Sequence, residues 1–210
     1  MEKNDFDNVS THSVSSFSTS FDSQAPSSSR EKLQISYGDL LGRHGKIVDA
    51  TTKQLVYTSE HRYRKPTFAL NSPTGDREIA TASSGTLTMK FDVNIAGNNF
   101  ELTPRRKLGS SVTYPSPAYN GQTLAWDRHG SWSGRITYTC TDGRGLPIAR
   151  IQSGSAWKCV SWGKFGEIEF MDGKIENEAQ RDEIVATGLC LLYRSYMNSQ
   201  SGANAVVVTS

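Results

Sequence analysis

Basic side chains gather at two places in the chain. His61, Arg62, Arg64 and Lys65 form one group and Arg105, Arg106 and Lys107 the other, with Lys90 between them. Residues two apart in an extended segment point to the same side, so Arg62 and Arg64 could share a phosphate through charge-assisted hydrogen bonds. The candidate anion-binding set is therefore Arg62, Arg64, Lys65, Lys90, Arg105, Arg106 and Lys107. Clusters of this size are also ordinary on a solvated face. Trp126, Trp132, Trp157 and Trp162, interleaved with Arg128, Arg135 and Lys158, would make a base-stacking or membrane-dipping surface if they were exposed together. A tryptophan in a β barrel more often fills wall or core, where its ring buries a large area.

No catalytic centre is visible. His12, His44, His61 and His129 are scattered without metal-ligand spacing. Gly143-Arg144-Gly145 has isoleucine at position 148 and precedes a strand, so a turn explains it better than a dinucleotide loop. Ser131 and Ser133 lie near His129 without a Gly-x-Ser-x-Gly elbow. Glu167 and Glu169 alternate as paired carboxylates could in a glycosidase, but exposed strand polarity is much the better account of them. Cys140, Cys159 and Cys190 are an odd number without ligand spacing. Cys190 should pack as a small hydrophobe, and Cys140 and Cys159 could meet on neighbouring strands without oxidation. The expectation is a protein that is not an enzyme, with no cofactor and no metal.

The chain of 210 residues has room for one ordinary domain and a tail. Its 36% hydrophobic content is low for a compact protein, which implies that one segment dilutes the average. Residues 1–30 are that segment. They hold Phe6, Phe17 and Phe21 among serine, threonine, asparagine and aspartate, too little apolar surface to offset ordering, and a disordered Ser-rich tail is expected there. The phenylalanines are either sparse hydrophobes or a docking motif. The tail carries a net charge of −2 and the remainder +4, too small an excess to imply nucleic-acid binding. No charged-then-apolar leader is visible in residues 1–30, so a reducing, cytoplasmic setting is expected, extending to the nucleus or the membrane periphery.

From residue 33 the pattern becomes short β-rich runs between turn residues. Strands are expected at 33–37, 46–50, 54–58, 67–70, 78–82, 86–93, 99–103, 111–114, 123–127, 134–140, 147–152, 156–161 and 166–171, with turns at Asn98-Asn99, Asn120-Gly121 and Asp142-Gly143. Leu87, Met89, Phe91 and Val93 alternate strictly, which places one set of side chains on a buried face. Closure into a barrel is the economical arrangement, because so many strands left open would expose pairing edges.

The last element differs in kind. Asn177 with Gln180 three residues on makes a capping-box arrangement, and Asp182 and Glu183 fall in early turns where the helix dipole favours acids. Residues 184–193 then run almost wholly apolar. Ten helical residues rise about 15 Å, half the roughly 30 Å hydrocarbon core, so the segment cannot span a bilayer and must be enclosed by protein. Gly188 in mid-helix costs roughly 1 kcal/mol against alanine, which suggests close approach of a wall. The domain organisation expected is a tail at 1–30, a barrel at 31–198 with its central helix at 178–197, and a second tail at 199–210. Residues 206–208 are either a loose end or a late strand.

Many short strands followed by one buried apolar helix resembles the tubby C-terminal-like superfamily, which includes the tubby, LURP-one-related and scramblase-like domains. The sharpest piece is Arg181-Asp182-Glu183-Ile184-Val185-Ala186-Thr187-Gly188-Leu189, similar to the final helix of fungal tubby-like proteins of unassigned role. The resemblance implies a mainly β fold, a closed antiparallel barrel of about twelve strands around that helix. It also implies phosphoinositide binding through basic groups on the barrel exterior. The expected function is a non-enzymatic, monomeric binding domain for phosphoinositide or anionic membrane headgroups. The alternative is a protein-interaction or scaffold module regulated through its Ser-rich tail.

Overall fold

The computed structural model describes residues 30–38, 43–62, 64–84, 90–105, 111–130, 135–154 and 165–207, with side chains up to residue 195. The strands are β1 (Lys32–Tyr37), β2 (His44–Asp49), β3 (Leu55–His61), β4 (Phe68–Asn71), β5 (Glu78–Ser84), β6 (Phe91–Ile95), β7 (Asn98–Pro104), β8 (Ser111–Ser116), β9 (Gln122–His129), β10 (Thr137–Thr141), β11 (Pro147–Ser153) and β12 (Gly166–Phe170). A single helix, α1 (Glu178–Val207), follows them. Each strand pairs antiparallel with its neighbours in sequence, and β1 pairs with β12 through Leu33 and Ile168, so the sheet closes into a barrel. Twelve of the expected strands correspond to these; the thirteenth, at 156–161, lies outside the described residues, as do residues 1–29 and 86–89.

Alternation sets which face looks inward. Leu33 and Ile35 on β1 and Ile168 on β12 are fully buried, as are Phe91, Val93 and Ile95 on β6 to within a few per cent, while the residues between them face out. One expected turn is shifted. The β6–β7 hairpin turns at Ala96 and Gly97, both with positive φ, and Asn98 and Asn99 already belong to β7. The asparagines read as turn formers, yet Asn94 Nδ2 donates to Asn99 Oδ1 across the hairpin at 2.7 Å and holds both in the ladder.

α1 occupies the interior. Residues 182–192 are all buried, and each leucine or isoleucine so enclosed is worth about 1.5–3 kcal/mol. Walls on several sides hold it. Tyr57 of β3 donates to Asp182 Oδ1 at 2.6 Å, Trp126 Nε1 of β9 donates to Thr187 Oγ1 at 3.1 Å, and Tyr138 of β10 meets Ser195 at 2.6 Å. The Ser116 hydroxyl of β8 donates to Glu183, and the Arg194 guanidinium lies 5.3 Å from the Phe91 ring centre on β6. The helix starts as expected, with Asn177 Oδ1 accepting the Gln180 N–H at 3.0 Å, but Gln180 Oε1 returns to the Glu176 N–H rather than to that of Asn177. It also continues to Val207, past the expected boundary at 197. Ser199, Ser201 and Gly202 are weak helix formers that invite an earlier stop, but no proline forces one.

Gly188 is where the barrel wall comes closest. A Cβ there would stand 3.2 Å from Ile151 Cδ1 and 3.2 Å from Trp126 Cη2. Gly188→Val is therefore expected to destabilise by about 1–3 kcal/mol through overpacking, read as a lower urea midpoint with an unchanged slope.

Candidate functional site

Strand reversal sorts the connections between the two rims. β1–β2, β3–β4, β5–β6, β7–β8, β9–β10 and β11–β12 all open at one rim, and the remaining turns close the other. The orientation of α1 follows from two contacts. Arg77, in the β4–β5 turn, meets Glu178 at 3.1 Å, whereas Tyr193 stacks on His61 at the far end of β3 with ring centres 3.6 Å apart. The helix thus begins at the rim of short turns and leaves through the rim of long connections.

The described basic candidates share that second rim. Arg62, Arg64 and Lys65 lie in the β3–β4 connection, Lys90 immediately precedes β6, and Arg105 immediately follows β7. Strand order follows sequence order, so these are successive connections along one arc of the barrel. Arg106 and Lys107 lie outside the described residues. Three of the five are engaged by acids. Arg62 reaches Glu60 Oε2 at 2.7 Å, Lys90 reaches Glu101 Oε1 at 2.9 Å, and Arg105 lies 3.9 Å from Asp127. The hydrogen bonds from Arg62 and from Lys90 hold the Glu60 and Glu101 carboxyls below the ordinary value. Arg64 and Lys65 are exposed and make no ion pair with another described residue. Exposed pairs are worth no more than about 1 kcal/mol, so a phosphate can replace a carboxylate partner at small cost.

Two expectations need correction. β3 ends at His61 and the chain bends at 64–66, so strand alternation does not align Arg62 with Arg64. His61 is 5% exposed and belongs to the interior rather than to the basic surface. It is enclosed by Tyr193, by Phe68 and by Tyr37, whose hydroxyl is 3.3 Å from Nε2, and it braces the helix where it leaves the barrel. Tyr37 and Phe165 meet edge to face at 4.5 Å on the same side. Sequence reasoning missed this aromatic collar; the inward parity of His61 with Tyr57 and Ser59 on β3 was the available signal.

The remaining candidates are placed as follows. Trp126 is fully buried against α1, so it joins no exposed stacking surface; Trp132, Trp157 and Trp162 are outside the described residues. Cys140 and Cys190 are buried free thiols whose ionisation burial pushes up, which leaves them poor nucleophiles. Cys159, Ser131 and Ser133 fall outside the described residues. Asp142 accepts the N–H groups of Arg144 and Leu146, each at 2.9 Å, which makes Gly143-Arg144-Gly145 a turn. Glu169 faces outward between Arg30 at 3.5 Å and Lys32 at 3.4 Å. Among the described residues no three His, Cys, Asp or Glu side chains converge as metal ligands. No helix among them is long and apolar enough to cross a membrane.

Comparison with known proteins adds nothing to this geometry. The chain matches no family model, no curated protein and no solved structure.

Proposed function

We propose that the chain is a non-enzymatic binding domain that receives phosphoinositide or other anionic membrane headgroups at the rim from which α1 leaves. One observation carries this reading: Arg62, Arg64, Lys65, Lys90 and Arg105, far apart in sequence, stand on three successive connections of one rim. Five cations along an arc present a multivalent target to phosphate oxygens, and each basic group near an anionic surface contributes about 1 kcal/mol. The closed barrel of twelve strands around a buried helix is also the architecture that the resemblance to the tubby C-terminal-like superfamily implies, which favours a headgroup ligand over other anions.

Attachment of this kind weakens with salt. Vesicles of phosphatidylcholine containing a phosphoinositide should pellet the protein at ~0.1 M salt, where the Debye length is about 10 Å, and release it near ~1 M, where the length falls to about 3 Å. Vesicles of phosphatidylcholine alone should leave it in the supernatant. Failure to pellet at low salt would remove the proposal.

A further inference from the structure

The opposite rim carries a second feature, independent of the headgroup reading. A cleft of about 460 Å³ opens where α1 begins, between the β2–β3 turn, the β4–β5 turn and the first helical turn. Leu55, Val56 and Ile79 form its apolar side, and on its charged side Arg77 and Arg181 stand beside two acids, Asp49 and Glu178. Leu55 is 36% exposed, one of two large apolar side chains that are exposed among the described residues. A space of this size suits one aromatic side chain with a polar neighbour.

We propose that the occupant is the chain's own N-terminal stretch around Phe17, Phe21 and Asp22. The location of residue 30 is the first reason. The described residues start there, and the carboxylate of the next residue, Glu31, is bonded to Arg181 inside the cleft lining, so the chain reaches β1 at the rim on which the cleft lies. β1 is two strands from β3, about 10 Å at ordinary strand spacing, and the segment from Asp22 to Arg30 can span roughly 26–29 Å. Reach is ample.

Chemistry is the second reason. Residues 1–29 contain Glu2, Asp5, Asp7 and Asp22 against Lys3 alone, and Phe21 stands beside Asp22, an aromatic ring paired with a carboxylate. The ring matches the Leu55 and Ile79 side, and the carboxylate matches Arg77. The present partner of Arg77 is Glu178, and both side chains are more than 60% exposed, at 62% and 71%, so exchanging one carboxylate for another costs little. Arg181 keeps one further donor, its buried Nε–H, with no acceptor among the described residues.

The test uses the full chain with a spin label at Gln24→Cys in a Cys159→Ser background, because Cys140 and Cys190 are buried and resist labelling. Methyl NMR signals of Leu55, Val56 and Ile79 should lose most of their intensity. The methyls of Leu146, exposed on the β10–β11 turn of the same rim, should keep theirs. Arg77→Glu, or Phe17→Ser with Phe21→Ser, should restore the Leu55 and Ile79 signals while leaving the rest of the spectrum in place. Equal broadening at Leu55 and Leu146 would overturn the proposal, as would broadening that survives the phenylalanine substitutions. So would broadening that transfers fully to unlabelled molecules in a mixed sample, which would make a second copy the source. Vesicle binding at the far rim is read separately, so failure here leaves the headgroup reading untouched, and the reverse holds too.

Discussion

Trp126→Ala is expected to destabilise the fold by about 3–5 kcal/mol. The ring is fully buried between β9 and α1, and its edge lies against the bare face of Gly188, so its removal leaves a void lined by Ile151 and the helix. The same change removes the Nε1 hydrogen bond to Thr187, a residue whose hydroxyl already donates back to the Glu183 carbonyl at 2.8 Å. Trp126→Phe keeps most of the volume and should cost less, with about 1 kcal/mol of the loss coming from the missing hydrogen bond. Urea unfolding of the two variants separates these contributions. A loss under about 1 kcal/mol for the alanine variant would mean that the helix does not pack on this wall.

The second large effect comes from Glu183. Its carboxylate sits 1% exposed inside the barrel, accepting the Ser116 hydroxyl and the Ala118 N–H at 3.0 Å, with no cation among those partners. Glu183→Ala should cost about 1–3 kcal/mol for each donor it orphans. The pH dependence carries a distinctive sign. Burial raises the Glu183 carboxyl above its ordinary 4.5, and burial likewise raises Asp182 above 3.8. The folded chain therefore holds protons more tightly than the unfolded chain at these sites, and their contribution is fully present below those ordinary values and lost as pH rises through the elevated ones. Other carboxylates run the opposite way. Asp49, held down by the Thr52 N–H, and Asp76, held down by the Ser72 and Thr74 hydroxyls, lose their contribution as pH falls through their lowered values. Stability should thus rise as pH is brought down from neutral toward 4.5 and decline in stronger acid. In Glu183→Gln the rise should shrink to the part that Asp182 supplies, and thermal melts across that range would show it. An unchanged slope in the glutamine variant would assign the effect elsewhere.

Much of the architecture was legible because apolar patterning reports directly on enclosure. Residues 184–193 had no polar stripe, so they needed protein on every side, and Leu33 with Ile35 and Phe91 with Val93 had the period of a half-buried strand. Polar residues inside the barrel were not legible. Asp182 and Glu183 read as dipole partners of a helix start, whereas both are buried and fastened to wall groups supplied by distant strands, and nothing in the pattern singled out the buried Ser59 and Ser116. His61 misled for a related reason: its basic neighbours in sequence suggested a common surface, but strand parity turns it toward Tyr193 while Arg62 remains outside. The sorting of basic residues onto one rim required knowing that an odd strand precedes each basic connection, a fact of strand number that composition does not carry. The cleft at the other rim depends on two turns and a helix start meeting in space, which no local pattern records.

The two ends of the barrel thus have different characters. One rim carries long connections with Arg62, Arg64, Lys65, Lys90 and Arg105, and the other is closed by turns that hold Asp49, Asp76 and Asp142. The second rim also carries Lys53, Arg77 and Arg144, which offset those acids, and the proposed headgroup site is on the first.

Charge reversal at each rim, scored by pelleting with phosphoinositide-containing vesicles at low salt, tests this most directly. Arg64→Glu with Lys65→Glu should abolish most of the pelleting. Arg144→Glu, at a side chain 76% exposed on the opposite rim, should leave it unchanged. Equal loss from both variants, or no loss from the first, would contradict a headgroup site at the rim where the helix leaves the barrel.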